Sequence, residues 1–158
     1  MRINKIQLAG LAVMLAGVTA TGANAEDVTI STATTTPLST SDPVAAAPVA
    51  PGNITIAAGG SITVGAGQNA ITVDSNNSVT NGGAIASNDS NNSTGIRING
   101  GFAGTITNSG TISMLESYVL ADTDNDGDLD GTFASGTNRH GIYLGPGTFT
   151  GNLSSTGA

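Results

Sequence analysis

The segment VTNGGAIAS (Val79–Ser87) returns 27 positions later as ITNSGTISM (Ile106–Met114). A β-branched residue, Thr, Asn, Gly and Ile hold the same slots in both copies. Neither copy carries an acid, a base or a nucleophile beyond hydroxyls, so the repetition points to architecture rather than to catalysis. Ile71 and Val73 precede the first copy much as Ile96 and Ile98 precede the second. A third unit, GIYLGPGTFTGNLSSTGA (141–158), aligns with GIRINGGFAGTITNSGTI (95–112) when one residue is inserted. Phe149 then matches Phe102, Gly151 matches Gly104, Leu153 matches Ile106 and Gly157 matches Gly110. Units of roughly 20–27 residues with several short strands each fall in the range of solenoids.

Short alternating runs fill the region from Asn53 onward: ITI (54–56), SITV (61–64), AITV (70–73), SVT (78–80), AIA (84–86), GIRI (95–98), TIT (105–107) and TIS (111–113). Gly, Asn or Ser clusters separate them, and no stretch keeps helical spacing over ten or more residues. Alternation of this kind predicts strands with one buried face. One unit has a single apolar stripe that it cannot bury alone. Stacked on its copies, it lines Ile and Val into a continuous core, and its backbone pairs with neighbours ~4.8 Å above and below. Asn81 and Asn108 are expected to form an amide ladder, and the Gly in each phrase to supply a positive φ at the corner. A β-sandwich with coincidentally similar strands is the competing architecture.

The ends of the chain read differently. Residues 1–25 have the three parts of a cleavable secretory signal: Arg2 and Lys5, the apolar run Leu8–Val18, and the small residues of ANA (Ala23–Ala25) before Glu26. The apolar run falls short of the ~20 residues a membrane span needs. Residues 26–52, with Pro37, Pro43, Pro48 and Pro51 among Thr, Ser and Ala, read as a disordered linker. Setting aside Arg2 and Lys5 moves the formal net charge from −7 to −9, with Arg97 and Arg139 the only cations left. Such a chain has no electrostatic footprint for nucleic acid. It also has no cysteine, so no disulfide supports it in an oxidising compartment.

VTNGGAIAS and ITNSGTISM, behind a signal and a Pro/Thr/Ala linker, resemble the passenger region of bacterial autotransporters of the type V secretion class. The resemblance spans residues 53–158 and rests on a short, degenerate phrase. It implies a right-handed parallel β-helix, here of about three to four rungs, carried to the cell surface by the protein's own C-terminal outer-membrane β-barrel. The chain has no room for that barrel and stops inside a repeat at Ala158; it therefore reads as the N-terminal portion of a longer protein.

One segment interrupts the repeat, an expected insertion at 113–140. It contains DTDNDGDLDG (Asp122–Gly131), with five of the eleven acidic residues in nine positions. Set on a calcium loop, Asp122, Asp124 and Asp126 take positions 1, 3 and 5, and Gly127 takes the sharp turn at 6. Asp128 would use its carbonyl, and Asp130 reaches the ion at position 9. Phe133 stands where a bidentate Glu belongs, and Glu116 is a candidate for the missing oxygen. The expected metal ligands are thus Asp122, Asp124, Asp126, Asp128 and Asp130, with Ca²⁺ in a structural role; a solvated acidic loop is the plain alternative. His140, the only histidine, lacks the partners that zinc or a catalytic triad requires and reads as a surface or turn residue. Asp74 and Asp89 read as isolated charges rather than a catalytic pair.

These features favour an exported, non-catalytic stalk that displays loops toward a host cell, another cell or a glycan, at the cell surface or released from it. A second reading makes the chain the opening of an autotransported enzyme whose catalytic part follows residue 158. A third is a secreted, calcium-stabilised matrix protein that uses no barrel.

Overall fold

The computed structural model describes residues 26–44 and 50–158. The expected signal at 1–25 lies outside the described residues, as do 45–49 of the expected linker. The chain winds as a three-sided coil of short strands, with no helical residue among those described. The first coil holds β1 (Val28–Ile30), β2 (Ala33–Thr34) and β3 (Leu38–Ser39); the second holds β4 (Ile54–Ile56), β5 (Ser61–Thr63) and β6 (Asn69–Val73). The third holds β7 (Val79–Asn81), β8 (Ala84–Asn88) and β9 (Thr94–Ile98), and the fourth β10 (Thr105–Asn108), β11 (Thr111–Leu115) and β12 (His140–Leu144). β13 (Asn152–Ser155) opens a fifth.

Each side of the coil is a parallel sheet in which every strand pairs with its counterpart one turn away. The orders are β1-β4-β7-β10-β13, β2-β5-β8-β11 and β3-β6-β9-β12. Every ladder between these strands is parallel, which rules out the antiparallel sandwich. The fold is a parallel β-helix. Val79 sits opposite Ile106 and Thr80 opposite Thr107, so the two phrases lie one directly on the other. The third unit joins in the expected register, with Leu153 on Ile106 and Ile142 on Ile96.

The period-2 pattern explains the core. In β4 the two Ile of Ile-Thr-Ile point inward and Thr55 outward, and β7 repeats this with Val79 and Asn81 around Thr80. Inward columns follow from the register: Ile54–Val79–Ile106 on one side, Ile62–Ile85–Ile112 on the second, and Ile71–Ile96–Ile142 on the third. Ile54, Ile62, Ile71, Val79, Ile85, Ile96 and Ile106 are fully shielded from solvent. Each such side chain contributes about 1.5–3 kcal/mol through its burial. No single coil could collect this, because the shielding atoms belong to the coils on either side.

Three expectations need correction. The first concerns the linker. Residues 28–39 form a full coil, with Val28 on Ile54, Thr34 on Ile62 and Leu38 on Ile71. Val28, Ile30 and Leu38 pack on the core, spaced too sparsely among Thr and Ser to stand out as strands. The second concerns the corner glycines. Gly83 and Gly110 are absent from the positive-φ positions. They are needed for close approach: a methyl carbon on Gly110 would fall on the carbonyl oxygen of Gly83, and one on Gly83 on that of Gly60. Gly157 repeats the relation with Gly110. Backbone stacks so tightly at this corner that no Cβ fits. The third is a boundary. β11 continues to Leu115 and β12 begins at His140, so the insertion occupies 116–139.

Candidate functional site

Two places on the coil carry chemistry. The first is the insertion. It leaves the corner between β11 and β12 and is fastened at its base by Arg139, whose guanidinium meets Glu116 at 2.8 Å. Glu116 also accepts the backbone N–H of Ser135 at 2.6 Å and the Ser135 hydroxyl. The Ser135 hydroxyl and the Arg139 guanidinium outweigh desolvation and hold the Glu116 carboxyl below its ordinary value. Glu116 is therefore occupied in fastening the loop and does not join the aspartates.

Of the five aspartates, Asp122, Asp124 and Asp130 come together, each offering a carboxylate oxygen within 4.8 Å of the others. Asp126 and Asp128 stand outside that group. The loop reaches this shape through backbone bonds to its own carboxylates. Gly127 N–H donates to Asp122 at 3.1 Å, Asp126 N–H to Asp124 at 3.3 Å and Asp128 N–H to Asp126 at 3.1 Å. Gly127 has φ of 99°, the sharp turn expected at that position. An antiparallel bridge between Ala121 and Asp130 closes the loop. The Thr123 hydroxyl and N–H hold the Asp130 carboxyl below its ordinary value. One oxygen of Asp122, Oδ1, is shielded from solvent with no partner among the described residues. A shielded, unpartnered carboxylate oxygen beside two others is a set of hard donors that fits a calcium ion.

The second place is an open groove of 470 Å³ on the outward face of β6, β9 and β12. Register builds it. Asn69, Thr94 and His140 form one column, and Thr72, Arg97 and Tyr143 the next. Arg97 lies with its guanidinium carbon 5.3 Å from the centre of the Tyr143 ring, and the His140 and Tyr143 rings are 5.0 Å apart. The rim is a stack of left-handed residues, Gly67, Asn92 and Asn138, with φ of 74°, 56° and 56°. Each copies its neighbour: Gly67 N–H donates to Asn91 O at 2.9 Å, and Asn92 N–H to Thr137 O at 3.0 Å. Asn tolerates this backbone better than other side chains do. His140 is thus a half-buried strand residue and part of a groove wall, not a turn.

Sequence reasoning passed over Arg97 and Tyr143. The signal lay in the alignment of GIRI (95–98) with GIYL (141–144), which sets them in the same outward slot.

Asp74 and Asp89 are each tied up by serines. Asp74 accepts the Ser39 hydroxyl at 2.6 Å, the Ser41 N–H at 2.9 Å and the Ser41 hydroxyl at 2.9 Å, clasping the second coil to the first. Asp89 accepts the N–H and the hydroxyl of Ser117, both at 2.7 Å. Comparison with protein-family models, with curated proteins and with solved structures returns no match to this chain.

Proposed function

We propose that this chain is an exported, non-catalytic display scaffold of autotransporter-passenger type: a stiff β-helical stalk that presents an acidic loop and a polar side groove to other surfaces. The observation that carries the reading is the register of Val79 on Ile106. Similar phrases stacked coil on coil build length and stiffness without chemistry in the core. The signal-like residues 1–25 supply export, and a C-terminal barrel beyond this chain would supply the crossing of the outer membrane. Among the described residues no helix is long and apolar enough to cross a membrane.

The reading is tested by producing the chain with its leader in a Gram-negative host and sequencing the N-terminus of the periplasmic product. A start at Glu26 is expected. Uncleaved chain retained in the cytoplasm would overturn export, and with it display.

Within this reading, Asp122, Asp124 and Asp130 hold a calcium ion that fixes the inserted loop. Bringing three carboxylates together without a cation costs Coulombic repulsion, which a divalent ion removes. Calorimetric titration with Ca²⁺ is expected to saturate in the native chain and to be lost in Asp124→Ala. A flat titration of the native chain would remove the metal.

A further inference from the structure

We propose that the groove over β6, β9 and β12 binds a carboxylate-bearing saccharide of the uronate type, with Arg97 meeting the carboxylate and Tyr143 and His140 flanking the sugar ring. The proposal deepens the display reading by naming what the stalk would hold.

The described residues contain two arginines against eleven carboxylates, a net charge of −9. Arg139 is neutralised by Glu116. Arg97 meets no carboxylate; its one side-chain bond runs from Nε to Asn99 Oδ1 at 3.2 Å. The free edge of its guanidinium is therefore the one uncompensated cation of the described residues, and it stands in the groove. In so acidic a chain this favours a ligand whose negative charges are few and spaced apart. A polyanion such as nucleic acid needs a run of cations.

Phosphate sites are rows of donors, from backbone N–H groups or several cations. This wall is mixed. Asn69, Thr94, His140 and Tyr143 offer both donors and acceptors, and among the described residues none of their side chains is used in a hydrogen bond. Asn92 and Asn138 bond each other once, at 2.9 Å, and leave the rest of both amides for a ligand. Donors and acceptors side by side, with aromatic rings between them, match the hydroxyls and C–H faces of a sugar. A guanidinium held against a ring presents its fork to a carboxylate in fixed orientation. The three strands span about 10 Å, roughly the length of a disaccharide.

The wall stands on three paired strands, with Ile71, Ile96 and Ile142 beneath it, so little freedom is lost when a ligand binds.

Trigalacturonate titrated calorimetrically into the mature chain, in EDTA so that calcium bridging to the aspartate loop is removed, is expected to bind saturably. Arg97→Gln and Tyr143→Ala should each weaken binding by about tenfold, Arg97→Lys less, and Asp124→Ala not at all. The methyl-esterified trimer, which lacks the charge, should bind as weakly to the native chain as trigalacturonate does to Arg97→Gln. Should Arg97→Gln lose the β-rich circular dichroism of the native chain, Asn69→Ala and Arg97→Lys carry the same test. No saturable binding to the native chain, undiminished binding in both the Arg97 and Tyr143 variants, or equally tight binding of inorganic phosphate would overturn the proposal. With leader cleavage and export intact, such a result removes the groove and leaves the display reading standing.

Discussion

The side-chain amide of Asn81 donates to Oδ1 of Asn108 at 2.7 Å, one coil to the next, with both side chains shielded from water. Asn108 passes the chain on to the Ser155 hydroxyl at 3.0 Å. Asn81 also donates to Thr111 O and accepts the Gly83 N–H, both at 3.2 Å. Polar groups in an apolar column are tolerable only because each meets the next. Asn108→Ala strips Asn81 of its closest acceptor and opens a small void; a loss of about 2–3 kcal/mol is expected. Replacing both, as Asn81→Leu with Asn108→Leu, removes the orphaned amide but leaves the Gly83 N–H without its acceptor, so it should recover part of that loss. Urea denaturation of the single and double variants measures the difference. A double variant weaker than the sum of the singles would count against the ladder.

The stacked corner makes a second prediction. Gly110→Ala puts a methyl group onto the Gly83 carbonyl oxygen, and the backbone on neither side can give without breaking its ladder. A loss of about 3 kcal/mol or more is expected. Gly65→Ala is the control, since its methyl would meet only the Gln68 side chain at 3.6 Å, an ordinary contact. It should be near neutral by thermal denaturation.

These two residues also show what a sequence carries. Gly110 and Asn108 were visible because the phrase holding them occurs twice, and alignment alone brings their partners opposite. The apolar alternation of Ile54–Ile56 and Ile96–Ile98 is local, so strand positions followed from it, while register followed from the repeat. The first coil was hidden for the opposite reason. Its apolar residues are few, and much of what fastens it is polar and distant, as in Ser39 bonding Asp74 across 35 positions. The groove was half visible. Arg97 and Tyr143 share a slot in the alignment, but their proximity matters only once one strand lies on the other. In the loop, spacing identified the aspartates but not which three would converge, since Asp126 instead accepts the backbone N–H of Asp128.

The Asp74 clasp makes stability depend on pH. Burial raises the Asp74 carboxyl, but hydrogen bonds from Ser39, Ser41 and Thr40 outweigh it and hold the group below its ordinary 3.8. A carboxyl depressed in the folded state stabilises that state fully above its unfolded value, and the contribution fades as pH falls through the folded value. The native chain should thus exceed Asp74→Asn in stability by a constant margin between pH 5 and 7, of about 1–2 kcal/mol given its partial exposure. The margin should shrink below about pH 4. Urea midpoints across that range test it. A margin that grew on acidification would mean that Asp74 is strained rather than satisfied.

The insertion should be separable from the coil that bears it. In the preceding coil, the five residues Asp89–Ser93 make the same corner between β8 and β9. Replacing 116–139 with that five-residue corner keeps Leu115 on Asn88 and His140 on Thr94, and it shortens a closed loop, which lowers the entropy cost of folding slightly. The shortened chain should therefore melt within a few degrees of the native one in EDTA. The native chain should gain stability from Ca²⁺ as RT ln(1 + [Ca²⁺]/Kd), and the shortened chain should gain none. Limited proteolysis gives an independent view: chelation should open 116–139 to cleavage and leave β4 to β12 protected on either side. If the shortened chain failed to fold, the loop would be part of the stacking itself, and calcium would be supporting the coil rather than an appendage to it.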